Sequence, residues 1–472
     1  MKTSLLNKLL VSSVLACAVV ASSFGEAARP ASPVLGYQID ISRSKVPTME
    51  TLYRIVDIMA SLGYNQFQLY TEHTFAYEGH EEVWEEADPI TPAEIAKLQA
   101  YCEMQGVELV PNQNSFGHME RWLTVPKYNP LARYPKGGAI TPWGAVKKFP
   151  TTLDPRNPGS IALVEDLFAQ LLPNFESKLV NIGCDETFEI EDPEEYFGFL
   201  MKVADAARRH GKRPMFWGDI ILKHPEYIPR IPKDMIALDW GYEGNYPFAR
   251  EAAAFKEAGL DFYVCPGTSA WRSLAGRVEN MRENLEAAEK AGRENGAKGY
   301  LLTDWGDEGH WQPLAASLPG IILAGNFASS GPKAAGMDLE KELDSVMDAP
   351  LGGLLLRLGT LYMMGGALRS NCSELFNILA NKHGYSRHPG LTQPIIDEIS
   401  GVASGVRIAA ERWTDRSDWA KEIVYMANLI DCACHRRDEG RLRALRDEHG
   451  RIWRMRSREG GRVDSLSKIP RF

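Results

Sequence analysis

Asn181-Ile182-Gly183-Cys184-Asp185-Glu186-Thr187 reads as the end of a buried strand, Lys178 to Ile182, released by a glycine into two consecutive carboxylates. Side chains of a regular strand alternate between faces, so neighbouring acids can share one site only beyond the strand, where Gly183 permits a sharp departure. Two acids held beside an apolar strand end repel each other and acquire displaced pKa values, a condition suited to acid/base chemistry. An exposed loop or the first turn of a helix accounts for the same pair with no function attached. The surroundings decide between them.

Working outward, seven further apolar runs have strand-like length, and helical periodicity answers them at steady intervals. Tyr37 to Ile41 precedes a helical pattern over Met49 to Leu62, and Phe67 to Tyr70 precedes Pro92 to Met104, with Thr91 placed to cap it. Val107 to Pro111 is followed by a long connection, Asn112 to Asn157, and a helix from Ser160 to Leu172. Lys178 to Ile182 leads into Pro193 to His210. Pro214 to Trp217 and Met235 to Trp240 come next, the latter answered by Phe248 to Ala258. Asp261 to Cys265 precedes Arg277 to Gly296, and Gly299 to Thr303 precedes Leu314 to Phe327. Eight such units predict an α/β fold, a (β/α)8 TIM-type barrel over 29–330, rather than an open doubly wound sheet. Beyond Gly331 helical patterns take over at Leu339 to Met347, Leu351 to Leu368, Cys372 to Lys382, Ile395 to Arg412 and Trp419 to Arg436. They predict an α-helical C-terminal region, 331–472, packed on the barrel. Leu351 to Leu368 resembles a membrane segment in apolarity, but Arg357 and its glycines favour a buried helical pair. The tail from Arg436 carries eleven arginines among six acids, the pattern of a solvated helix with paired charges.

Active sites of such barrels lie at the C-terminal ends of the strands, which turns those ends into a set of candidates. They are Asp40 and Arg43 after the first strand, Glu72 after the second, Asn112, Asn114 and His118 after the third, and Asp185 and Glu186 after the fourth. The last four deliver Trp217 and Asp219, Trp240 and Tyr242, Trp271, then Asp304, Trp305 and Asp307. Sugar rings stack their C–H faces on aromatic planes, and their hydroxyls need carboxylates and amides. One tryptophan is most simply core packing; four at successive strand ends with acids between them indicate a carbohydrate site.

Other chemistries fit less well. Gln38-Ile39-Asp40 stands where a metal hydrolase of this fold would place His-x-His, so no metal is expected. No glycine-rich phosphate cradle follows the first strand, so no nucleotide cofactor is expected either. A cysteine hydrolase pairing Cys184 with His118 is a weaker alternative. Most glycosidases flank the scissile bond with two carboxylates. The seventh strand here ends Val264-Cys265-Pro266-Gly267-Thr268, without an acid. Asp185 and Glu186, on one loop, do not easily reach opposite faces of one bond. That pattern favours a substrate supplying its own nucleophile.

Composition sets the outer bounds. A chain of 472 residues with 44% hydrophobic and 24% charged residues is an ordinary globular protein, and its net charge of −9 gives no support to a nucleic-acid partner. Lys2 and Lys8, the apolar run Leu9 to Val20 and small residues up to Ala28 form the pattern of a signal peptide over 1–28. Secretion or periplasmic delivery follows, with no integral membrane segment after cleavage. Lipoprotein anchoring at Cys17 is disfavoured because Leu15 fits that site poorly and the apolar run continues. Six scattered cysteines remain, too dispersed for a disulfide framework.

At this point the residues resemble a known family. Asn181 to Glu186 resembles the strand-four signature of glycoside hydrolase family 20, the β-N-acetylhexosaminidases, and the likeness runs from Leu35 to about Phe327. Leu35-Gly36 with Asp40 and Arg43 is similar to the family's first strand, with Leu35 where a sugar-binding arginine is usual. Pro111 to His118 is similar to its third, with Gly117-His118 kept and Asn112 and Asn114 replacing the usual acids. Leu153-Asp154-Pro155, Trp217-Gly218-Asp219 and Trp305-Gly306-Asp307 also match, the last with Asp for the usual Glu. The resemblance implies an exo-acting hydrolase that removes terminal β-linked N-acetylhexosamine with retention, through an oxazolinium formed by the substrate's own acetamido group. Asp185 would orient that group and stay ionised; Glu186 would be proton donor and then base, with a raised pKa. His118 would support the acid, and Trp217, Trp240 and Trp305 would line the pocket, with Tyr242 a candidate by position for the acetamido-binding tyrosine. The chain is similar to the barrel-first members, without a small α/β domain ahead of the barrel. The competing reading is a glycan-binding barrel that has lost hydrolysis. Retention of both Asp185 and Glu186 weighs against it.

Overall fold

Eight short strands form in the expected order and close on themselves. The computed structural model describes residues 34–470 other than 44, 143, 381–385 and 437, so the signal peptide expected over 1–28, with Cys17, lies outside the described residues. The strands are β1 (Val34–Asp40), β2 (Gln66–Thr71), β3 (Glu108–Gln113), β4 (Leu179–Asn181), β5 (Arg213–Trp217), β6 (Ile236–Trp240), β7 (Asp261–Cys265) and β8 (Gly299–Asp304). Each pairs in parallel with the next, and β8 returns to β1 with Leu35 opposite Tyr300 and Ile39 opposite Asp304. The ring leaves no edge strand, which excludes the open sheet.

Strand parity divides the residues into two apolar layers. Val110, Met215, Leu238, Tyr263 and Leu301 fill the barrel interior, while Tyr37, Leu69, Phe216, Val264 and Leu302 face the surrounding helices. Three of those helices show why they start where they do. Thr48 caps Met49–Ser61, Asn157 caps Pro158–Leu171 and Asp192 caps Pro193–Arg209, each side chain accepting a backbone N–H of the first turn. Thr91 and Glu94 cap Pro92–Met104 reciprocally.

The helical C-terminal region contains Leu339–Met347, Gln393–Glu411, Asp418–Cys434, Glu439–Arg456 and Arg462–Lys468. Two expectations there need correction. Instead of one helix over Leu351 to Leu368, an α-helix spans Gly352–Gly359 and a 3-10 segment Leu361–Gly366, which ends on Gly365 and Gly366 with left-handed φ of 69° and 64°. The region also contains strand pairing, Leu368–Arg369 against Cys372–Ser373, which shortens the helix expected from Cys372 to Glu374–Ala380 among the described residues. No helix among the described residues is long and apolar enough to cross a membrane.

Buried Glu422 docks this region on the barrel by accepting Ala315 N–H at 2.8 Å and Arg456 Nε–H at 2.6 Å. Arg458 reaches back to Glu94 at 2.9 Å, so the arginine-rich tail is tied down by paired charges. A cavity of about 40 Å³, lined by Lys45, His310 and Glu422 among others, lies in this seam rather than at the barrel mouth.

Candidate active site

Two glycines bring the acids to one point. β4 is short, and its one register pair with β3 is Asn181 opposite Asn112. Past it the chain turns left-handed at Gly183, Cys184 and Glu186, with φ of 70°, 73° and 49°. The two non-glycine residues are strained there, which is common where a fold holds reactive groups. A Cβ on Gly183 would lie 2.4 Å from Asn114 Oδ1, so the ends of β3 and β4 approach only because position 183 has no side chain. Gly117 does the same from β3: its Cβ would lie 2.2 Å from the Asp185 carbonyl, and His118 beside it has φ of 52°. The turn sends Cys184 into the outer core and leaves both carboxylates facing His118.

His118 Nε2 lies 3.3 Å from Asp185 Oδ2 and 3.5 Å from Glu186 Oε2. Asn114 Nδ2 donates to Asp185 Oδ1 at 2.9 Å, which fixes the carboxylate plane. Burial pushes Asp185 up, but the charge and hydrogen bond of His118 and the bond from Asn114 outweigh it and hold the carboxyl below its ordinary value. Glu186 moves the other way: burial raises it and Asp185 adds to the rise, against the lowering charges of His118 and Lys147. Burial pushes His118 down, yet Asp185, through charge and hydrogen bond, and then Glu186 bring it up to about 9, with Arg43 opposing. Arg43 Nη2 stands 3.4 Å from His118 Nδ1, a contact that is favourable only when that nitrogen carries no proton. Two carboxylates on one side and a guanidinium on the other thus compete for the imidazole's charge.

Arg43 is itself caged. Its Nη1 lies 3.4 Å from Asp40 and 3.3 Å from Glu72, its Nε 3.9 Å from Asp307, and its plane covers Tyr70 and Trp305 at 4.9 and 5.2 Å. Asp40 accepts the Gly306 N–H at 2.9 Å, joining the β1 and β8 loops.

The other half of the mouth is aromatic. Tyr242 stacks on Trp240 with centroids 5.2 Å apart, meets Trp271 edge-on at 5.0 Å, and its hydroxyl accepts Trp305 Nε1–H at 2.8 Å. Trp217 leans on Trp305 at 6.1 Å. The strand pairing of the C-terminal region supports this wall, since Asn371 Oδ1 accepts Trp271 Nε1–H at 2.9 Å. Among the described residues the indole nitrogens of Trp217 and Trp240 have no hydrogen-bond partner. Those are donors a sugar hydroxyl can satisfy.

Thirteen of the sequence-based candidates therefore meet around one mouth: Asp40, Arg43, Glu72, Asn114, His118, Asp185, Glu186, Trp217, Trp240, Tyr242, Trp271, Trp305 and Asp307. Asp304 does not. It sits at an outward position of β8, accepting Tyr37 Oη–H and Thr268 Oγ1–H, both at 2.7 Å, within the helix layer. Parity gives the reason, because Trp305 next to it points in. Asn114 also bonds Asp185 and not His118, so it does not replace the acid expected behind that histidine. Asn112 lies in an amide floor with Gln38 and Gln68, each 3.1 Å away, and Leu35 is buried among the outer layer. Cys184 gains no support as a nucleophile: burial, then Asp185 and Asp219, push its thiol well above the ordinary range.

One strand-end candidate, Asp219, had been given no role, and one residue of the site, Tyr70, was not among the candidates. Asp219 Oδ2 accepts the Glu186 N–H at 3.4 Å, and burial followed by the Asp185 charge takes it up to about 7. Its place two residues after Trp217, at a strand end, was the available signal. Tyr70 donates to Glu72 at 2.9 Å and accepts from Asn114 at 3.2 Å; its inward parity on β2 was the signal.

Residues 35–289 match the family described as Glycosyl hydrolase family 20, catalytic domain. Hexosaminidase D of Bos taurus is 23% identical over 325 residues, covering 60% of this chain and 90% of that protein. Hexosaminidase D of Homo sapiens is 23% identical over 313 residues, 58% of this chain and 60% of that protein. Among solved structures, the chitobiase of Flavobacterium johnsoniae superposes with a TM-score of 0.54 at 16% identity, covering 93% of this chain and 78% of that one.

Proposed function

The chain belongs to glycosyl hydrolase family 20, and from that premise we propose that it removes terminal β-linked N-acetylhexosamine by an exo-acting, retaining, substrate-assisted reaction. The observation that carries this reading is the opposite displacement of two adjacent carboxyls that share one histidine. An anionic Asp185, fixed by Asn114, suits the acetamido N–H and the positive charge that grows on it. A carboxyl whose pKa is raised by burial, Glu186, suits proton donation to the leaving oxygen. In the first step the acetamido oxygen bonds to the anomeric carbon as the glycosidic C–O bond breaks, and Glu186 gives its proton to the departing oxygen. In the second, Glu186 takes a proton from water as the water oxygen attacks the anomeric carbon and the oxazolinium C–O bond breaks. Two inversions give net retention.

A second observation supports the substrate's role as nucleophile. At the ends of β6 and β7 the described carboxylates are turned away or engaged: Asp239 has the outward parity of β6, opposite to Leu238 and Trp240, and Glu243 is bonded by buried Arg277 at 2.9 and 3.0 Å. The stacked aromatics there fit a sugar ring instead. Export through the 1–28 leader belongs with this reading, placing the enzyme where glycans are met outside the cell.

The test is turnover of aryl β-N-acetylhexosaminides beside aryl β-hexosides lacking the acetamido group. The proposal expects release from the first set alone. Tight binding of N-acetylhexosamine without turnover of any would support the glycan-binding barrel instead.

A further inference from the structure

Between Glu120 and Asp154 the chain has no acidic residue, yet it carries Arg121, Lys127, Arg133, Lys136, Lys147 and Lys148 in a protein of net charge −9. This stretch is the β3–β4 connection, and its middle folds into a hairpin. Gly138 N–H donates to Lys147 O and Lys147 N–H to Ala139 O, both at 2.8 Å, with Ile140 bridged to Val146. The hairpin exposes large apolar side chains: Ile140 is 68%, Val146 61% and Phe149 54% accessible. Arg121 pairs with Asp464, Lys127 with Glu82 and Arg133 with Asp154. Among the described residues no ion pair engages Lys136, Lys147 or Lys148. A surface that is both apolar and basic, in an acidic protein, is shaped for a ligand with flat C–H faces and negative charge.

Its position identifies which part of a substrate would reach it. The foot of the hairpin is tied to the two loops that carry the proton-transfer groups. Met119 N–H, beside His118, donates to Thr151 O at 2.9 Å, and Phe116 O accepts the Leu153 N–H at 3.0 Å. Thr151 and Thr152 hydroxyls both donate to Glu189, three residues beyond Glu186. Lys147, half-buried on the hairpin, is close enough to Glu186 for its charge to lower that carboxyl's pKa. The aromatic wall of β5–β8 lies on the other side of the mouth. A proton donor stands over the leaving oxygen, so what borders Glu186 borders the leaving group.

We propose that the hairpin formed by 137–142 and 144–149, with Lys136 at its base, is the aglycone-binding surface and selects glycans whose leaving sugar carries a carboxylate or a sulfate. Ile140, Val146 and Phe149 offer apolar area to that sugar's faces, and the three unpaired lysines meet its charge. The inference rests on the hydrolase reading and extends it to the substrate's acidic class.

The test compares kcat/KM on three matched disaccharides in which the same β-N-acetylhexosamine is linked to glucose, to glucuronate and to glucose 6-sulfate, at low and at high sodium chloride. The expected result is a preference for at least one anionic aglycone of roughly fivefold, the scale of two or three exposed charge pairs. The preference should shrink as salt screens it. K136E/K148E should bring the ratio to about one or below. Preference for one anion alone would identify which group the lysines read. Equal turnover of all three at low salt, or a preference unmoved by salt and by charge reversal, would overturn the inference while leaving the hydrolase reading intact. No turnover of any substrate would defeat that reading and this one with it.

Discussion

The first four strands and the last four build opposite walls of one mouth by different means. On the β1–β4 side, Asp40, Arg43, Glu72, Asn114, His118, Asp185 and Glu186 form a connected chain of charges and hydrogen bonds, which shifts the pKa values of His118, Asp185 and Glu186. On the β5–β8 side, Trp217, Trp240, Tyr242, Trp271 and Trp305 form an aromatic wall whose polar atoms are few and whose contacts are edges and faces. The difference teaches a division of work. In the proposed reaction one wall would move protons and hold a developing charge, which needs tuned pKa values. The other would hold a sugar ring in place, which needs area and shape. Substitutions on the two walls should therefore fail differently, the first in kcat and the second in KM.

The largest expected effect is on the polar wall. Glu186→Gln should lower kcat on an aryl β-N-acetylhexosaminide by about a thousandfold, the scale of a lost general acid. An unchanged far-ultraviolet circular dichroism spectrum would show that the fold survives. Asp185→Asn should come next, at roughly a hundredfold in kcat, the scale of one lost charge-stabilising group. Trp240→Ala, on the half-buried rim of the aromatic wall, should raise KM by roughly tenfold and leave kcat within a fewfold, about 1 to 2 kcal/mol of ring contact. A fall in kcat equal to that of Asp185→Asn would break the comparison.

His118 sharpens it through pH. Its charge is the first of the groups that lower Glu186, so His118→Gln should raise the Glu186 pKa and move the alkaline limb of kcat/KM to higher pH. Stability carries a second signature. The imidazole stands at about 9 in the fold against an ordinary 6.5, so its stabilising contact is fully present below about pH 6.5 and is lost as pH rises through 9. The difference in Tm between wild type and His118→Gln should therefore narrow on going from pH 6 to pH 10. The smallest catalytic effect belongs to Asp304→Asn, which should leave kcat and KM within about twofold because that carboxyl faces the helix layer. A large rise in KM there would mean that the parity assignment is wrong.

Much of this was legible before any coordinates. Periodicity placed the strands to within a few residues, and β7 and the helix Pro92–Met104 have the expected bounds. The Asp185–Glu186 pair stood out because a glycine followed by two acids at a strand end is an unusual use of residues. What the sequence hid was orientation. Asp304 and Trp305 are neighbours at the same strand end, and only the register of β8 against β1 shows that one faces helices and the other the mouth. Asn114 hid a partner for the same reason: it stands where the family resemblance places an acid, but the left-handed turn at Gly183 brings Asp185 to it. The end of the α-helix at Gly359 was hidden by an apolar run that reads the same whether it is straight or folded back. Side-chain direction past a strand end depends on one or two dihedrals, which no periodicity reports.

The central claim is that the substrate's acetamido group is the nucleophile and Asp185 its partner. A thiazoline mimic of the oxazolinium intermediate tests it most directly, with inhibition of aryl β-N-acetylhexosaminide turnover measured in the wild type and in Asp185→Asn. The account predicts competitive inhibition of the wild type and at least tenfold weaker inhibition of the variant, the scale of one lost charge-assisted contact. Indifference of the wild type to the thiazoline, together with turnover of hexosides that lack the acetamido group, would contradict it.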